Sequence, residues 1–506
     1  MKINLILIFS CSFLLFISCG KTSNSNNTYV QDIKELKEAI HQAKPGSEII
    51  LSNGIWKDVQ INFYGNGTKE NPITLKAETE GKVFIEGQSF FHLGGEFLNV
   101  EGLHFRNGFS PNTGIIRFKI GLDSVANNSS VKNCVIEEFN NPNVSIYNQW
   151  IEFFGKHNQI NHCYISGKTN NGPTLMVYHN GNENTSNYHQ IVNNYFGARP
   201  RNSGTNAHTI QLGNSKTRLT PGRATFSNNY FEACNGDEQI ISDMTNYNSF
   251  INNIFYKCEG ALVLRHGNFA TVDKNIFIGG DESNLYGGLS VMNTGHWITN
   301  NYFYKIKGEG FKSPLAIMNG IKNTPLQGFR QVTDVVIAFN SWIDCQSTWQ
   351  IGVGQNKASI DSLPFTEIRS EPPIRSIIAN NLIYNTQVDA SPLINFDDMD
   401  GIAFKNNIID NSGEQYMEFN VFRNEKLKMK QLNDWLFIPD DEKSQKLNEV
   451  FYGYDFGKIK NDLFENSRTV NNSVGAINNF ETIENFQINK KRYGPKWYSP
   501  AKFSIK

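Results

Sequence analysis

The chain has 506 residues, of which 39 % are hydrophobic and 19 % charged, and its formal net charge is -1. That near-balance excludes a polycation of the nucleic-acid-binding kind, so an anionic partner has to be met by a local cluster of Arg and Lys. The length exceeds an average domain, yet solenoids of this size form one unit, so length alone implies no division.

In chain order, residues 1–19 read as an export signal. Lys2 supplies the positive end, Ile3 to Ile17 is mostly apolar, and Phe16-Ile17-Ser18-Cys19 resembles a lipoprotein cleavage box. An apolar run of about fifteen residues is too short to span a bilayer. The expectation is an exported lipoprotein anchored through Cys19, held on a periplasm-facing membrane or the outer-membrane surface; an ordinary cleaved signal peptide is the alternative. Residues 20–28 form a polar tether with too few apolar groups to fold.

From Asp32 to Ala43 the apolar residues Ile33, Leu36, Ala39, Ile40 and Ala43 fall at helical spacing behind a capping Asp. Pro45-Gly46 then turns the chain into a strand at Glu48-Ile49-Ile50-Leu51. This predicts a helix that closes the open end of the main body of the chain.

That main body is periodic. Asn193-Asn194-Tyr195-Phe196 recurs as Asn228-Asn229-Tyr230-Phe231, Asn252-Asn253-Ile254-Phe255, Asn300-Asn301-Tyr302-Phe303, Asn380-Asn381-Leu382-Ile383 and Asn406-Asn407-Ile408-Ile409. Lys132-Asn133-Cys134-Val135, Lys274-Asn275-Ile276-Phe277 and Phe339-Asn340-Ser341-Trp342 are variants. From Asn229 to Asn253, Asn275 and Asn301 the steps are 24, 22 and 26 residues, which is one coil of a three-stranded parallel β-helix. An Asn at one turn of each coil can take the left-handed conformation and bond its amide to the coils above and below. The longer gaps around Asn340 imply loops inserted between coils, where such proteins keep function. The fold class is therefore all-β: a single right-handed parallel β-helix over residues 29–411, with an N-terminal capping helix and an irregular C-terminal cap and extension over residues 412–506.

Cys11 and Cys19 belong to the signal, which leaves Cys134, Cys163, Cys234, Cys258 and Cys345. An odd number argues against a complete disulfide framework, and small buried apolar residues are the expected reading. Gly279-Gly280 and Gly287-Gly288 lack the Lys-Ser/Thr of a phosphate loop and read as turns. Asp237 and Glu238 would make a glycosidase pair only if they faced the same way, which neighbours on a strand do not.

Four stretches carry a family likeness: Ala43-Lys44-Pro45-Gly46-Ser47-Glu48-Ile49-Ile50-Leu51-Ser52-Asn53-Gly54-Ile55-Trp56, Asn194-Tyr195-Phe196-Gly197-Ala198-Arg199-Pro200, Glu259-Gly260-Ala261-Leu262-Val263-Leu264-Arg265-His266-Gly267, and Val474-Gly475-Ala476. With these the chain resembles polysaccharide lyase family 6, which includes chondroitinase B and alginate lyases. The resemblance implies β-elimination: a uronate carboxylate is neutralised, the C5 proton is removed, and the oxygen on C4 leaves. It also implies that the Arg of Leu-Arg-His-Gly, here Arg265, is the acid, that a Lys is the base, and that an Asn with acidic residues two apart holds calcium. The base position falls on Met244, the first acidic position on Asp237 and the second on Gln239, with Glu238 between them.

The candidate catalytic residues are then His208 as a replacement base, Arg265, and His266, which either orients Arg265 or acts as the acid. Arg199, Arg201, Arg218 and Arg223 are candidate contacts to the carboxylate or a sulfate, and His296 matches a family histidine. Asn206, Asp237 and Glu238 are the candidate calcium ligands. The expected activity is that of a carbon–oxygen lyase on a poly- or oligosaccharide containing uronic acid, with loss of water from a terminal uronate as a variant. The alternative is a non-catalytic surface that binds anionic glycans.

Overall fold

The computed structural model describes residues 27–111, 114–201, 206–325, 328–418, 420–440, 450–468, 472–478 and 486–499. The expected anchor at Cys19 lies outside them.

Three long parallel sheets form the faces of a right-handed β-helix, each coil giving one short strand to each face. Sheet A runs through strands such as Thr225–Ser227, Ser249–Ile251 and Thr271–Asp273. Sheet B runs through Tyr230–Glu232, Ile254–Tyr256 and Ile276–Ile278, and sheet C through Ile210–Leu212, Gln239–Asp243, Ala261–Leu264 and Leu289–Val291. Strands of three or four residues suffice because every edge but the first and last is paired by the next coil.

The predicted helix spans Ile33–Gln42. Asp32 Oδ1 accepts from the amides of Lys34 and Glu35 at 2.8 and 2.9 Å, and Glu35 Oε2 accepts from the amide of Gln31 at 2.8 Å, a reciprocal cap. Its apolar face buries Leu36, Ala39 and Ile40 over the first coil.

The Asn pairs divide their labour. The first member takes the left-handed backbone: φ is 57° at Asn193, 53° at Asn228, 56° at Asn252 and 55° at Asn300, with Lys274 and Phe339 filling the same place at 58° and 57°. The second member makes the ladder. Nδ2 of Asn194, Asn229, Asn253, Asn275, Asn301, Asn340 and Asn381 each donates to Oδ1 of the next, at 2.9–3.1 Å, ending on Asn407. Every one of these side chains is buried, which explains why only the second position is invariant from Asn194 to Asn407: a buried amide must find both donors and acceptors, whereas the left-handed position asks only for a tolerable φ.

Inside the coils, the rings of Phe196, Phe231, Phe255, Phe277, Phe303 and Trp342 stack at centroid distances of 4.5–5.2 Å. Outside sheet B, Tyr195, Tyr230 and Tyr302 are covered by the C-terminal extension. Trp435 packs on Tyr302, Tyr493 on Tyr230, and Tyr498 on Tyr164, while Trp497 Nε1 donates to the carbonyl of Asn133. The extension thus runs back along the solenoid as a strap. Cys134, Cys163, Cys234, Cys258 and Cys345 are free and buried.

One interior group sets a pH dependence. Asp243 closes its strand with its side chain fully buried, Oδ1 accepting from the amide of Thr245 at 3.1 Å and from Asn248 Nδ2 at 2.8 Å. Burial pushes its pKa up to about 7 from 3.8, against those two hydrogen bonds. The folded state therefore prefers the protonated acid, so the stability contributed by this group is full below about pH 4 and is lost as pH rises through about 7. Asp243→Asn is expected to flatten that decline and to raise stability at pH 8 by about 2 kcal/mol, read from urea unfolding at several pH values.

Candidate active site

Strand alternation on sheet C turns Ile210, Leu212, Ile241, Leu262 and Leu264 into the core and leaves Gln211, Ser242 and Val263 on the outer face. The pairing of Ser242 with Val263 continues into the next turn, so Met244 lies one coil before Arg265 on that outer face. The amides of Arg265 and His266 both donate to the carbonyl of Asp243, at 2.8 and 3.1 Å, which fixes the Leu-Arg-His-Gly turn to the preceding coil.

Arg265 is half-buried, and its Nε is buried without a hydrogen-bond partner. Arg218 stands near enough to feel the charge of Arg265 and is itself half-buried, with Nε and Nη1 unpartnered. Burial lowers the pKa of both; Asp237 pulls the other way on Arg265, and Arg265 adds to the lowering at Arg218. Two neighbouring guanidiniums with unspent N–H groups make a ready anion site.

On the other side of Asp237 lies His208, 4 % exposed, whose Nδ1 is 3.2 Å from Asp237 Oδ1. The contact has the distance of an ion pair but not the alignment of a hydrogen bond. Asp237 Oδ1 also accepts from the amide of Gln239 at 3.1 Å. Burial works to raise the Asp237 carboxyl, but contact with His208 and the amides of Gln239 and Ala207 hold it below the ordinary carboxylate value. Asp237 thus touches His208 on one coil and acts only through space on the charge of Arg265, on the coil after its own.

His266 is covered by the ring of Phe329 at 5.5 Å, and its carbonyl accepts from Asn293 Nδ2 at 2.5 Å. Burial, and then Arg218, Arg265 and Arg330, lower its pKa to about 3. The ring is neutral in neutral solution, so it suits the orienting role and not that of proton-donating acid.

Four expected roles need correction. Arg199 is 2 % exposed and its guanidinium donates to Thr174 Oγ1 and to the carbonyls of His208, Asn170 and Gly172, at 2.7–3.2 Å. It braces the backbone beneath His208 and does not face a ligand. Arg201 is held by Glu259, which also accepts from Ser283 Oγ at 2.7 Å. Arg223 lies over the rings of Tyr247 and Tyr188, at 4.5 and 6.0 Å, in an exposed stack at the corner of sheet A. His296 is fully buried, Nδ1 accepting from the amide of Ala270 and Nε2 facing the carbonyl of Met292 at 2.7 Å; it is a satisfied core histidine.

The calcium set does not assemble either. Glu238 turns outward to Lys312, 3.4 Å away, because it alternates with Asp237, and Asn206 is exposed. Gln239 Oε1 is buried and unpartnered, but it is neutral. Asp237, the one carboxylate of the set at this position, already faces His208. Among the described residues no group of three His, Cys, Asp or Glu is placed to share a cation. A hard divalent ion asks for several oxygens and more than one negative charge, so the residues present do not fit calcium.

Sequence reasoning placed an inserted loop in this stretch but did not foresee that, between Met318 and Val336, it delivers Phe329 and Arg330 to His266. Its only trace in the sequence was the long step from Asn301 to Asn340.

A β-helix with paired free guanidiniums beside a His–Asp pair on one outer face has the build of an acidic-sugar site. A family model for chondroitinase B matches residues 30–457, and the chain belongs to that family. Among solved structures it is similar to the family 6 alginate lyase AlyGC, at 35 % identity and TM-score 0.76 over 82 % of this chain and 55 % of that one. An arginine variant of AlyGC aligns at 32 % identity and TM-score 0.81, over 94 % of this chain and 59 % of that one. A mannuronic acid specific family 6 lyase from the human gut microbiota aligns at 26 % identity and TM-score 0.70, over 79 % and 91 % of the two chains. The chain thus spans little more than half the length of the AlyGC structures. No curated protein matches significantly.

Proposed function

We propose that the protein is a carbon–oxygen lyase that acts by β-elimination on glycans containing uronic acid. The observation that carries this is the pair Arg218 and Arg265, half-buried with N–H groups unspent, beside His208 and Asp237. In this reading the two guanidiniums take the uronate carboxylate and offset the charge that builds next to it when C5 loses its proton. Met244 offers a thioether at the family's base position, which cannot accept that proton. His208 takes it instead, its ring oriented by Asp237. The electrons of the C5–H bond become the C4–C5 double bond as the C4–O bond breaks. Arg265, made a better donor than an ordinary guanidinium by its burial, stabilises the departing oxygen.

The departing oxygen belongs either to a glycosidic bond or to the free hydroxyl of a terminal uronate, and the second case would make the protein an oligosaccharide dehydratase. The AlyGC likeness favours alginate-type uronans as first substrates. The test is incubation with saturated mannuronate, guluronate and chondroitin-type oligomers, following ultraviolet absorbance of the new conjugated double bond. A rise supports the reading; no rise with any of them, while binding persists, leaves a glycan-binding surface. Because the donor set does not fit calcium, exhaustive treatment with EDTA is expected to leave the rate within about twofold of the untreated enzyme, less than the cost of one lost charge contact.

A further inference from the structure

The outer face of sheet C changes character along the solenoid. In register, the position just past each strand stacks coil on coil, so that Tyr178, Gly213, Met244, Arg265, Met292 and Met318 fall in one row. Tyr178 is half-buried, whereas Met292 and Met318, the two positions after Arg265, are 1 % and 5 % exposed.

A second apolar layer covers them. Val263, Met292, Ala316, Met318 and Val353 form a buried cluster separate from the solenoid core, and Phe311 and Phe329 pack against it. Phe311 arrives on a single 3-10 turn, Gly310–Lys312, that rests on the sheet C strands Leu289–Val291, Leu315–Met318 and Trp349–Val353. Hydrogen bonds pin the turn there. The amide of Gly310 donates to Oε1 of the buried Gln350 at 2.9 Å, and the amide of Gly288 to the carbonyl of Lys312 at 3.2 Å. Phe329 comes from the next inserted loop and stacks on His266, beside Arg265.

Adjacent coils are about 4.8 Å apart, close to the length of one pyranose in a 1,4-linked chain, so the sugar after the one at Arg265 would fall on Met292. That place is filled by thioethers under two rings. A sugar forced into it would give up its hydrogen bonds to water and meet no donor or acceptor in return.

We infer that Met292, Met318, Phe311 and Phe329 close the groove one coil beyond Arg265, so that the sugar held by Arg218 and Arg265 is the terminal residue of its chain and internal residues are excluded. The inference rests on the proposed uronate site at Arg265. These four side chains touch no reacting atom; they set specificity by exclusion. Either form of the elimination then falls at a chain end: water leaves from C4 of the terminal residue, or the one bond joining that residue to its neighbour breaks.

The experiment uses the full chain and a mannuronan of about twenty sugars, several times longer than a few coils at about 4.8 Å each. Titrated calorimetrically with the His208→Ala variant, which keeps both guanidiniums, the long chain is expected to take one protein per chain, as a mannuronate tetramer does. Several proteins per long chain would mean that internal residues enter the site, and overturns the inference. The wild type's products from the same chain, sized at early conversion, are expected to be the long chain less one water, or one short fragment of constant size with its complement. Unsaturated fragments spread over the middle lengths contradict a closed groove. A wild type that forms no unsaturated product sinks the eliminase reading, while the stoichiometry still decides this one. A protein that binds neither chain has no uronate site to close, and both readings fall.

Discussion

His208→Ala is expected to lower kcat by about two to four orders of magnitude on any uronate substrate the wild type processes, the usual cost of removing a positioned base. The substitution leaves the local frame standing, because what His208 gives the scaffold is its carbonyl, which accepts from the amide of Thr174 at 3.0 Å and from Arg199 Nη1 at 2.7 Å. Binding of the uronate should persist, since Arg218 and Arg265 are untouched. KM is therefore expected to change far less than kcat, and the split separates a lost base from a collapsed site. Asp237→Asn should cost less, because it removes the carboxylate that orients the ring and keeps the ring. If His208→Ala and Asp237→Asn both retain full rates, the proton is taken elsewhere.

The second large effect is structural. Asn253→Ala is expected to cost about 3–5 kcal/mol in urea unfolding, several times an ordinary surface change. Asn253 Oδ1 accepts both the backbone amide and Nδ2 of Asn229, each at 3.0 Å, and its Nδ2 donates to Asn275 Oδ1 at 3.0 Å and to the carbonyl of Phe226 at 2.9 Å. Alanine strands those partners in a region water does not reach. Asn252→Ala, one residue earlier, should cost less, since that position holds a left-handed φ of 56° and takes no part in the ladder. A result in which the two variants lose equal stability would contradict the division of labour within the pair.

The solenoid was legible because its chemistry repeats. One amide and one aromatic per coil, at steps near 24 residues, leave few folds able to bury both. The helix at Ile33–Gln42 was legible from its cap and its apolar stripe. The site was legible in part. His208 and Asp237 come together because each sits two residues before its sheet C strand on neighbouring coils, which periodicity can align, whereas Arg265 and Arg218 follow their strands. Arg199, Arg223 and His296 were misread because exposure is decided by what packs around a side chain, and a charged or titratable residue in sequence looks the same whether it braces carbonyls, as Arg199 does, or meets solvent.

The most direct measurement is mass spectrometry of a defined saturated mannuronate tetramer after incubation with the wild type and with Arg265→Ala. The site as described predicts unsaturated products from the wild type, either shorter fragments or the tetramer less one water, and unaltered tetramer from the variant. A wild type that returns the tetramer intact, or a variant that converts it as fast, would mean that the guanidinium pair on this face does not carry out eliminations.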